Sequence, residues 1–474
     1  MIEFEERSQA FLSWLSTSSV SLNSKISLAD LRSQHAGRGV VATSDIIEDE
    51  ILFTIPREVI LIAENSDLSA KLPQVLEELD SWTALILVMM YEHLKGSASP
   101  WKPYFDVLPL TFDTLMFWTQ EELEELQASA VRNKIGRDSA DKTFRETILP
   151  IFHSNGAILF LNGNFISDEE LLSLAHRMAS TIMAYAFDIE KKDGDKEFDE
   201  EGYTSDEDDE VLPKGMVPLA DMLNADADRN NARLFYQEDA LVMKAIKPIA
   251  AGEEIFNDYG PLPRSDLLRR YGYVTSNYAK FDVVEVSHEI LIDTVAQNGA
   301  ISREEIDSRL EYLDGEGIID TGYDICRPVP GEPIQEIFSP ELLTVIAALL
   351  MPTADFEQMK ERGKLPKIGS ISSKVASLLS KLVRNRAMQY ATTFEDDEVA
   401  LSSLLASHTQ NNLSRHSYRM QMALEVRLGE KSALREAEQI LQRLEATAIE
   451  SEKDHKRNPR FHTDDGSSKK RKVG

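Results

Sequence analysis

The sequence predicts an α+β protein, in which a β-rich region is split by helices and followed by an all-α C-terminal region. Short runs of β-branched and aromatic residues occur in two places, residues 36–56 and 233–246. Apolar residues at helical spacing fill much of the chain between them and dominate after residue 282. Because 474 residues exceed what one hydrophobic core usually supports, we expect two or three lobes.

The N-terminal segment predicts one helix and then two strands. Residues 4–16 have the spacing of an amphipathic helix with an aromatic face. Residues 36–56 form two β-rich runs, which open with Gly-Arg-Gly at 37–39 and are joined through an acidic turn at 48–49. Taken alone, the two glycines indicate only the start of a strand.

Helices are predicted for the next part of the chain. Residues 82–130 show helical spacing, and their longest apolar stretch, 84–91, is far shorter than the ~18 residues that a membrane helix requires. Trp101 stands between two prolines, where a packing role is the simplest interpretation. A further helix is predicted for residues 169–187, whose Met and Ala stripe is typical of a core-facing helix.

The most informative stretch is residues 215–260. An apolar run ends at Asn224, and residues 233–246 predict two strands around a turn at 238–239. The stretch closes with Asn-Asp-Tyr-Gly, which contains Tyr259. On its own that tetrapeptide predicts only a turn.

Composition restricts the class of protein and its partners. The formal net charge is −30, so the surface favours a basic protein partner over nucleic acid. Residues 190–210 carry 12 acidic and 3 basic side chains and are predicted to form a disordered loop. The single cysteine, Cys326, excludes an internal disulfide and a cysteine zinc cluster, and it indicates a reducing, intracellular compartment.

Taken together and in order, these motifs resemble the SET-domain protein-lysine methyltransferases of the Rubisco large-subunit methyltransferase-like class. The resemblance rests on Gly-Arg-Gly, the SPWKPYFDVLP string, LADMLNADAD, Asn-Asp-Tyr-Gly and Arg-Tyr-Gly-Tyr at 270–273. The Leu-Asn-Ala-Asp string and Ala-Tyr at 184–185 make the chain most similar to the fungal ribosomal lysine N-methyltransferase 4-type enzymes. It also resembles an animal nuclear enzyme of the class.

The resemblance implies a pseudoknotted SET domain and a helical substrate-binding lobe. In this fold the asparagine segment passes through the loop made by the tyrosine segment. The ALEVRLGEKSALREAEQIL string resembles the C-terminal lobe, although its Arg-Leu-Gly-Glu-Lys run alone predicts a helix break. The implied domains are 1–75 (N-terminal helix and first SET part), 76–170 (helical insert), 171–281 (second SET part, with the acidic loop), 282–450 (substrate-binding domain) and 451–474 (basic tail).

The resemblance also assigns roles to residues. Tyr259 matches the catalytic tyrosine. Asn224 matches the asparagine of the usual Asn-His pair, and Ala225 replaces the histidine. The implied contacts with the cofactor, S-adenosyl-L-methionine, are made by Gly37, Arg38, Gly39, Tyr185, Asn224, Ala225 and Tyr271, and those with the substrate by Trp101, Phe187 and Asp221. No metal is implied.

The expected function is methylation of a lysine on a basic ribosomal protein of the large subunit. Two alternatives remain: a protein-histidine methyltransferase of the same fold, and a non-catalytic module that binds basic proteins. We expect a monomer with no membrane or direct nucleic-acid contact. The basic tail, with Lys469-Lys470-Arg471-Lys472, predicts recognition by a nuclear import receptor and localisation in the nucleus, or else only a solubilising end.

Overall fold

The structure is a computed structural model. The chain folds into two compact units. The structure describes residues 2–34, 36–160, 165–189, 212–299, 301–367, 371–407 and 414–457. The predicted acidic loop at 190–210 and the basic tail from residue 458 onward lie outside these residues. Within the described residues, no helix is both long and apolar enough to cross a bilayer.

The two units are each assembled from several stretches of chain. The first unit comprises the chain up to Leu126, Ala130–Phe281 and Val399–Val426. The second comprises Gln127–Ser129, Asp282–Glu398 and the last helix from Arg427.

The described helices follow the chain from α1 to α18. They are α1 Ile2–Thr17, α2 Leu68–Lys71, α3 Pro73–Glu77, α4 Ser81–Leu94, α5 Lys102–Phe105, α6 Gln120–Glu124, α7 Arg137–Thr143, α8 Leu149–Ser154, α9 Gly156–Leu159, α10 Asp168–Tyr185, α11 Arg264–Tyr271, α12 His288–Asn298, α13 Arg303–Gly315, α14 Pro340–Leu350, α15 Thr353–Glu361, α16 Ser373–Ala387, α17 Phe394–Ser407 and α18 Arg415–Arg457.

The described strands form small antiparallel sheets. They are β1 Ser21–Leu22, β2 Ile26–Asp30, β3 Arg38–Ala42, β4 Ile51–Pro56, β5 Ala186–Asp188, β6 Lys214–Met216, β7 Ala232–Tyr236, β8 Ala240–Ala245, β9 Glu254–Ile255, β10 Val283–Ser287 and β11 Gly322–Cys326. The sheets of the first unit have the orders β1-β4-β8-β7, β2-β3-β9 and β5-β6. Strands that follow one another in sequence do not always belong to the same sheet. The Gly-Arg-Gly strand β3 lies between β2 and β9.

The four predicted strands of the first unit are present as β3, β4, β7 and β8, but β3 and β4 lie in different sheets and only β7 and β8 form a hairpin. Strands β7 and β8 pair in register from Ala232 opposite Ala245 to Tyr236 opposite Leu241. The acidic turn before β4 places Asp49 at φ +64°, in the left-handed region that glycine favours.

Helix α4 is more deeply buried than its sequence pattern suggests. Its side chains from Thr83 to Glu92 are all buried, not only one face. A helix that is apolar all round must be surrounded by protein. The charge of Glu92 is compensated by the ammonium of Lys95 at 3.1 Å, and the hydroxyl groups of Ser66 at 2.7 Å and Ser99 at 2.6 Å donate to the same carboxylate.

Helix α10 ends earlier than predicted. The predicted helix ran to Phe187, whereas α10 ends at Tyr185. Residues Ala186–Asp188 form strand β5, in which Phe187 stands opposite Gly215 of β6. The pairing of β5 with β6 therefore overrides the helical pattern.

The second unit is mainly helical, as predicted, with one antiparallel strand pair. Strands β10 and β11 pair from Val283 opposite Cys326 to Ser287 opposite Gly322, so the region is not all-α. The pattern of residues 413–446 predicts either one long helix or a broken pair, and α18 runs unbroken through Gly429, as the first alternative has it. Gly429 is buried, and packing outweighs the ~1 kcal/mol that glycine costs in a helix.

Candidate active site

One side-chain amide holds the Gly-Arg-Gly strand and the asparagine segment together. Nδ2 of Asn224 donates to the carbonyl oxygen of Arg38 over 3.3 Å and to Oε1 of Glu254 over 2.7 Å. Gly39 lies at this junction, where a Cβ would come within 2.8 Å of Glu254 Oε1 and 3.2 Å of Asn224 Nδ2. A side chain at residue 39 therefore cannot fit unless both groups move.

The asparagine segment also pairs directly with the tyrosine segment. The backbone N–H of Asn257 donates to the carbonyl oxygen of Asn224 over 2.8 Å, and the N–H of Asp226 donates to that of Asn257 over 3.3 Å. Ala225 stands opposite Asn257 in this parallel bridge. Two stretches that are distant in sequence thus lie side by side, and Ala225 takes part through its backbone.

Asn231 fixes the chain that leads into the tyrosine segment. Its Oδ1 accepts a hydrogen bond from the backbone N–H of Phe256 over 2.8 Å. Its Nδ2 donates to the carbonyl oxygen of Glu254 over 3.0 Å. The side chain of Asn231 therefore holds the backbone at two points just before Tyr259.

Tyr259 is surrounded by other tyrosines. Its ring stacks on Tyr271, with 4.3 Å between the ring centroids and 8° between the planes. Tyr273 packs edge-on against Tyr271 at 6.3 Å. Burial raises the pKa of Tyr259 well above its ordinary value, and the neighbouring Tyr273, Tyr271 and Tyr185 raise it further. Tyr259 is therefore a neutral phenol at physiological pH.

Four of these tyrosines lie close together, and we call the space that their hydroxyl groups face the cleft. Among the described residues, the hydroxyl groups of Tyr185, Tyr259, Tyr271 and Tyr273 have no hydrogen-bond partner, yet none of them is enclosed. All four side chains keep partial exposure. A hydroxyl group with neither a partner nor an enclosure faces solvent-accessible space, where it can bond to a ligand.

Gly272 explains how Tyr271 and Tyr273 reach the same cleft. It ends α11 with a left-handed φ of +76°, and its N–H donates to the carbonyl oxygen of Leu268 over 3.1 Å. A Cβ on Gly272 would come within 2.7 Å of the backbone nitrogen of Thr114. Both the turn and the close backbone approach require glycine.

A buried carboxyl group lies beside the cleft, in the segment before Asn224. Oδ2 of Asp221 accepts a hydrogen bond from the hydroxyl of Tyr104, while Oδ1 is buried without a partner among the described residues. Burial raises the pKa of Asp221 to about 7, although the bond from Tyr104 opposes this. Burial, and then the charge of Asp221, raise the pKa of Tyr185 to about 12.

The backbone of this segment is strained. Leu219, two residues before Asp221, has φ +78° and ψ −41°, which a branched side chain rarely adopts. Its side chain is buried in the core. Such strain persists only where the surrounding structure enforces it, and it concentrates at functional sites.

The residues of the Gly-Arg-Gly motif face different surroundings. Gly37 is exposed at φ +65°. The guanidinium of Arg38 turns away from Asn224, because its Nη1 donates to the carbonyl oxygen of Val107 over 2.9 Å and it stacks on the ring of Phe4. Only the backbone of Arg38 is therefore at the junction with Asn224.

Two residues expected to contact substrate lie elsewhere in the first unit. Trp101 is 5% exposed, and its Nε1 donates to the carbonyl oxygen of Val59 over 3.0 Å. It lines a surface depression together with Trp14 and Glu58. Phe187 is half-buried in β5, two residues after Tyr185. Their contact with a substrate stays a prediction.

The sequence motifs assign no role to Glu254, Tyr273 or Asn231. Glu254 lies in an acidic pair after a turn, which predicts only a solvated surface. The hydrogen bond between Glu254 and Asn224 joins two segments that are distant in sequence, so no local sequence pattern predicts it. Tyr273 could have been found, since Arg-Tyr-Gly-Tyr carries two tyrosines around a glycine.

The fold and this cleft define a SET-domain methyltransferase. A SET domain profile matches residues 37–260, and a Rubisco LSMT substrate-binding profile matches residues 302–434. A solved structure of Rubisco LSMT bound to AdoMet has the same fold, with a TM-score of 0.65 at 20% sequence identity over 97% of this chain and 98% of that one.

Relatives that are similar in sequence identify the class of methyltransferase more closely. Ribosomal lysine N-methyltransferase 4 of Saccharomyces cerevisiae is 34% identical over 370 residues, which cover 74% of each chain. N-lysine methyltransferase SETD6 of Mus musculus is 28% identical over 457 residues, 90% of this chain and 88% of the relative. The chain belongs to the SET-domain family of protein-lysine N-methyltransferases, whose methyl donor is S-adenosylmethionine.

Proposed function

We propose that this enzyme methylates a lysine of a large-subunit ribosomal protein, with Tyr259 as its catalytic residue. The observation that carries the site assignment is the backbone pairing of Asn224 with Asn257, which brings an amide side chain and the Tyr259 phenol to one cleft. The similarity to ribosomal lysine N-methyltransferase 4 supports the class of client.

The residues of the cleft fit S-adenosylmethionine. Oδ1 of Asn224 has no partner among the described residues and is not enclosed, so it can accept a hydrogen bond from an N–H group of the cofactor. We assign cofactor contacts to this oxygen, to the backbone of Gly37, Arg38, Gly39 and Ala225, and to the rings of Tyr185 and Tyr271. The bound cofactor supplies a methyl group activated by a positively charged sulfur.

Tyr259 acts as a neutral phenol and not as a base. Its pKa is raised well above the ordinary value, mainly by burial, so it holds its proton at physiological pH. The phenol oxygen can accept a hydrogen bond from the target amine, and the O–H can donate one. The stacked ring of Tyr271 fixes the direction of this hydroxyl. Tyr259 therefore aligns the nucleophile.

The cleft also favours the reactive form of the target. A lysine amine has a pKa near ~10.4 in water, and burial disfavours its charged form. The cleft wall is made of neutral phenols of Tyr185, Tyr259, Tyr271 and Tyr273. Such a wall excludes water without adding a negative charge that would stabilise the ammonium.

Substrate contacts are assigned to Asp221, Phe187 and Trp101. Asp221 adjoins the cleft through Tyr185, and Phe187 follows Tyr185 in the chain. Trp101 lines a depression that contains the acidic Glu58 and would receive a basic segment of the client. The net charge of −30 supports a basic client in the same way.

The enzyme acts as a monomer that enters the nucleus through its basic tail. Lys469-Lys470-Arg471-Lys472 has the composition of an import signal. Deletion of residues 469–474 from a fluorescently tagged enzyme should abolish nuclear accumulation. Unchanged accumulation would remove this part of the proposal.

The client is tested by mass spectrometry of large-subunit ribosomal proteins. Cells that lack the enzyme should lose methylation at one lysine, and the wild-type enzyme should restore it. The Tyr259→Phe variant, expressed at the same level, should not. A ribosomal protein set with identical methylation in all strains would refute the ribosomal client.

A further inference from the structure

Glu254 is a partly buried carboxylate in the active site with no cationic partner. Its Oε1 accepts the short bond of 2.7 Å from Nδ2 of Asn224. Among the described residues, no lysine or arginine forms an ion pair with it. Because a carboxylate without a counter-charge costs free energy to bury, its presence here calls for a functional reason.

The neighbours of Asn224 leave its carboxamide a single orientation. The groups facing its nitrogen are the carboxylate of Glu254 and the carbonyl oxygen of Arg38, and both can only accept hydrogen bonds. The NH₂ group must therefore point at them. Oδ1 consequently points away from them, towards solvent-accessible space.

Glycine at residue 39 leaves the space that the carboxylate of Glu254 occupies. A Cβ on Gly39 would come within 2.8 Å of Oε1 and would also overlap the side chain of Leu31. The backbone carbonyl of Glu254 accepts a bond of 3.0 Å from Asn231. The backbone of Glu254 is thus anchored beside Asn224, and the close approach of its carboxylate requires glycine at residue 39.

We propose that Glu254 is a positioning residue for cofactor binding, which holds the carboxamide of Asn224 with its oxygen turned to an N–H donor of the bound methyl donor. The inference rests on the proposed function, since it takes Asn224 as a cofactor contact. Without an acceptor at residue 254, the carboxamide is free to rotate and to present NH₂ to the cofactor.

The same arrangement makes cofactor affinity sensitive to pH. Burial raises the pKa of Glu254; the bond from Asn224 and the charge of Arg229 oppose this, and the charge of Asp226 adds to it. Once protonated, the carboxyl group becomes a donor as well and can bond to the amide oxygen. Acidification should therefore weaken cofactor binding.

Binding of S-adenosylhomocysteine by calorimetry tests the inference. Glu254→Met removes the acceptor at similar size and should raise Kd about tenfold or more, the effect of losing a hydrogen bond to a charged group. Glu254→Gln keeps an acceptor but adds a donor, as protonation does, so its Kd should lie between those of wild type and Glu254→Met. At saturating S-adenosylmethionine, the turnover of both variants should approach the wild-type value.

A matched control and a second readout complete the test. The neighbouring Glu253→Met removes an exposed bond of 2.9 Å to the N–H of Ala250, and should leave Kd unchanged. As the pH falls below neutral, Kd should rise for wild type and stay flat for Glu254→Gln. This comparison stands even if Glu254→Met fails to fold.

The outcomes separate the inference from the proposed function. If folded Glu254→Met binds as tightly as wild type, or if Glu254→Gln keeps the pH dependence of wild type, the inference is wrong and the proposed function stands. If Asn224→Ala binds normally, Asn224 is no cofactor contact and the inference is again wrong. If the wild-type enzyme does not bind S-adenosylhomocysteine, the proposed function fails.

Discussion

The ring of Tyr259 stacks on the ring of Tyr271, with 4.3 Å between the centroids and 8° between the planes. The two tyrosines come from different elements, since Tyr259 follows β9 and Tyr271 ends α11. The stack makes the orientation of the Tyr259 hydroxyl depend on a residue outside its own segment. The first prediction concerns this dependence.

Replacing Tyr271 should separate the role of its ring from that of its hydroxyl. Tyr271→Phe keeps the stack, so its turnover should stay within about threefold of wild type. Tyr271→Leu loses an aromatic pair worth about 0.5–1.5 kcal/mol, so turnover should fall about 2–10-fold. Steady-state kinetics at saturating substrates measures both. Equal loss in the two variants would show that the hydroxyl matters and the stack does not.

The buried carboxyl of Asp221 should make stability depend on pH. Its pKa is about 7 in the folded chain against an ordinary value of 3.8, so the folded state holds a proton that the unfolded state releases. Wild-type stability therefore falls as the pH rises from about 4 to about 7 and is constant above. Asp221→Asn lacks this titration, although it keeps an acceptor for Tyr104.

The comparison is the difference in unfolding free energy between Asp221→Asn and wild type. From pH 5 to pH 8.5 this difference should shift in favour of the variant by at most about 3 kcal/mol. Asp226→Asn is the control, because the pKa of Asp226 is lowered by the hydrogen bonds of Arg229, which outweigh burial, and so does not titrate in this window. A flat difference for Asp221→Asn would mean that its carboxyl is ionised when folded.

We expect the Arg-Leu-Gly-Glu-Lys run of helix α18 to stabilise the fold. Arg427 and Lys431 both bond to the buried carboxylate of Asp397, at 2.6 and 2.5 Å. Burial works to raise the pKa of Asp397, but these bonds outweigh it and hold the pKa below its usual value. Arg427→Met leaves that charge without its bidentate partner and should destabilise the second unit by about 3–5 kcal/mol.

Thermal unfolding measures this effect, and a second arginine of the same helix serves as the control. Arg435 pairs with Glu395 at the surface over 3.1 Å, with both side chains more than half exposed. Arg435→Met should therefore change stability by less than about 1 kcal/mol. If the two variants unfold at the same temperature, the buried pair contributes no more than the exposed one.

The sequence predicted the local elements of the site and the meeting of its two segments. The hairpin at 233–246 and the acidic turn at 48–49 follow from short-range patterns, and both are present. Residues 186–187 were predicted to be helical, but the pairing of Phe187 with Gly215 makes them a strand. That pairing joins distant residues, so no local pattern contains it.

The rest of the site depends on contacts that sequence patterns do not record. The bond between Glu254 and Asn224 joins two side chains that are each ordinary for a polar loop. The strain at Leu219 follows from packing of the whole segment. The sequence left open whether the last helix breaks at Gly429, and the burial of Gly429 between packed turns keeps α18 continuous.

The central claim is that the Asn224 and Tyr259 segments form one methyl-transfer site. The most direct measurement compares wild type with Tyr259→Phe, in S-adenosylmethionine binding by calorimetry and in transfer of a labelled methyl group to large-subunit ribosomal proteins. Removing a hydrogen bond made in the transition state should lower transfer about 100-fold or more while Kd changes less than about threefold. Transfer at the wild-type rate by Tyr259→Phe, or no binding of S-adenosylmethionine by wild type, would contradict the account.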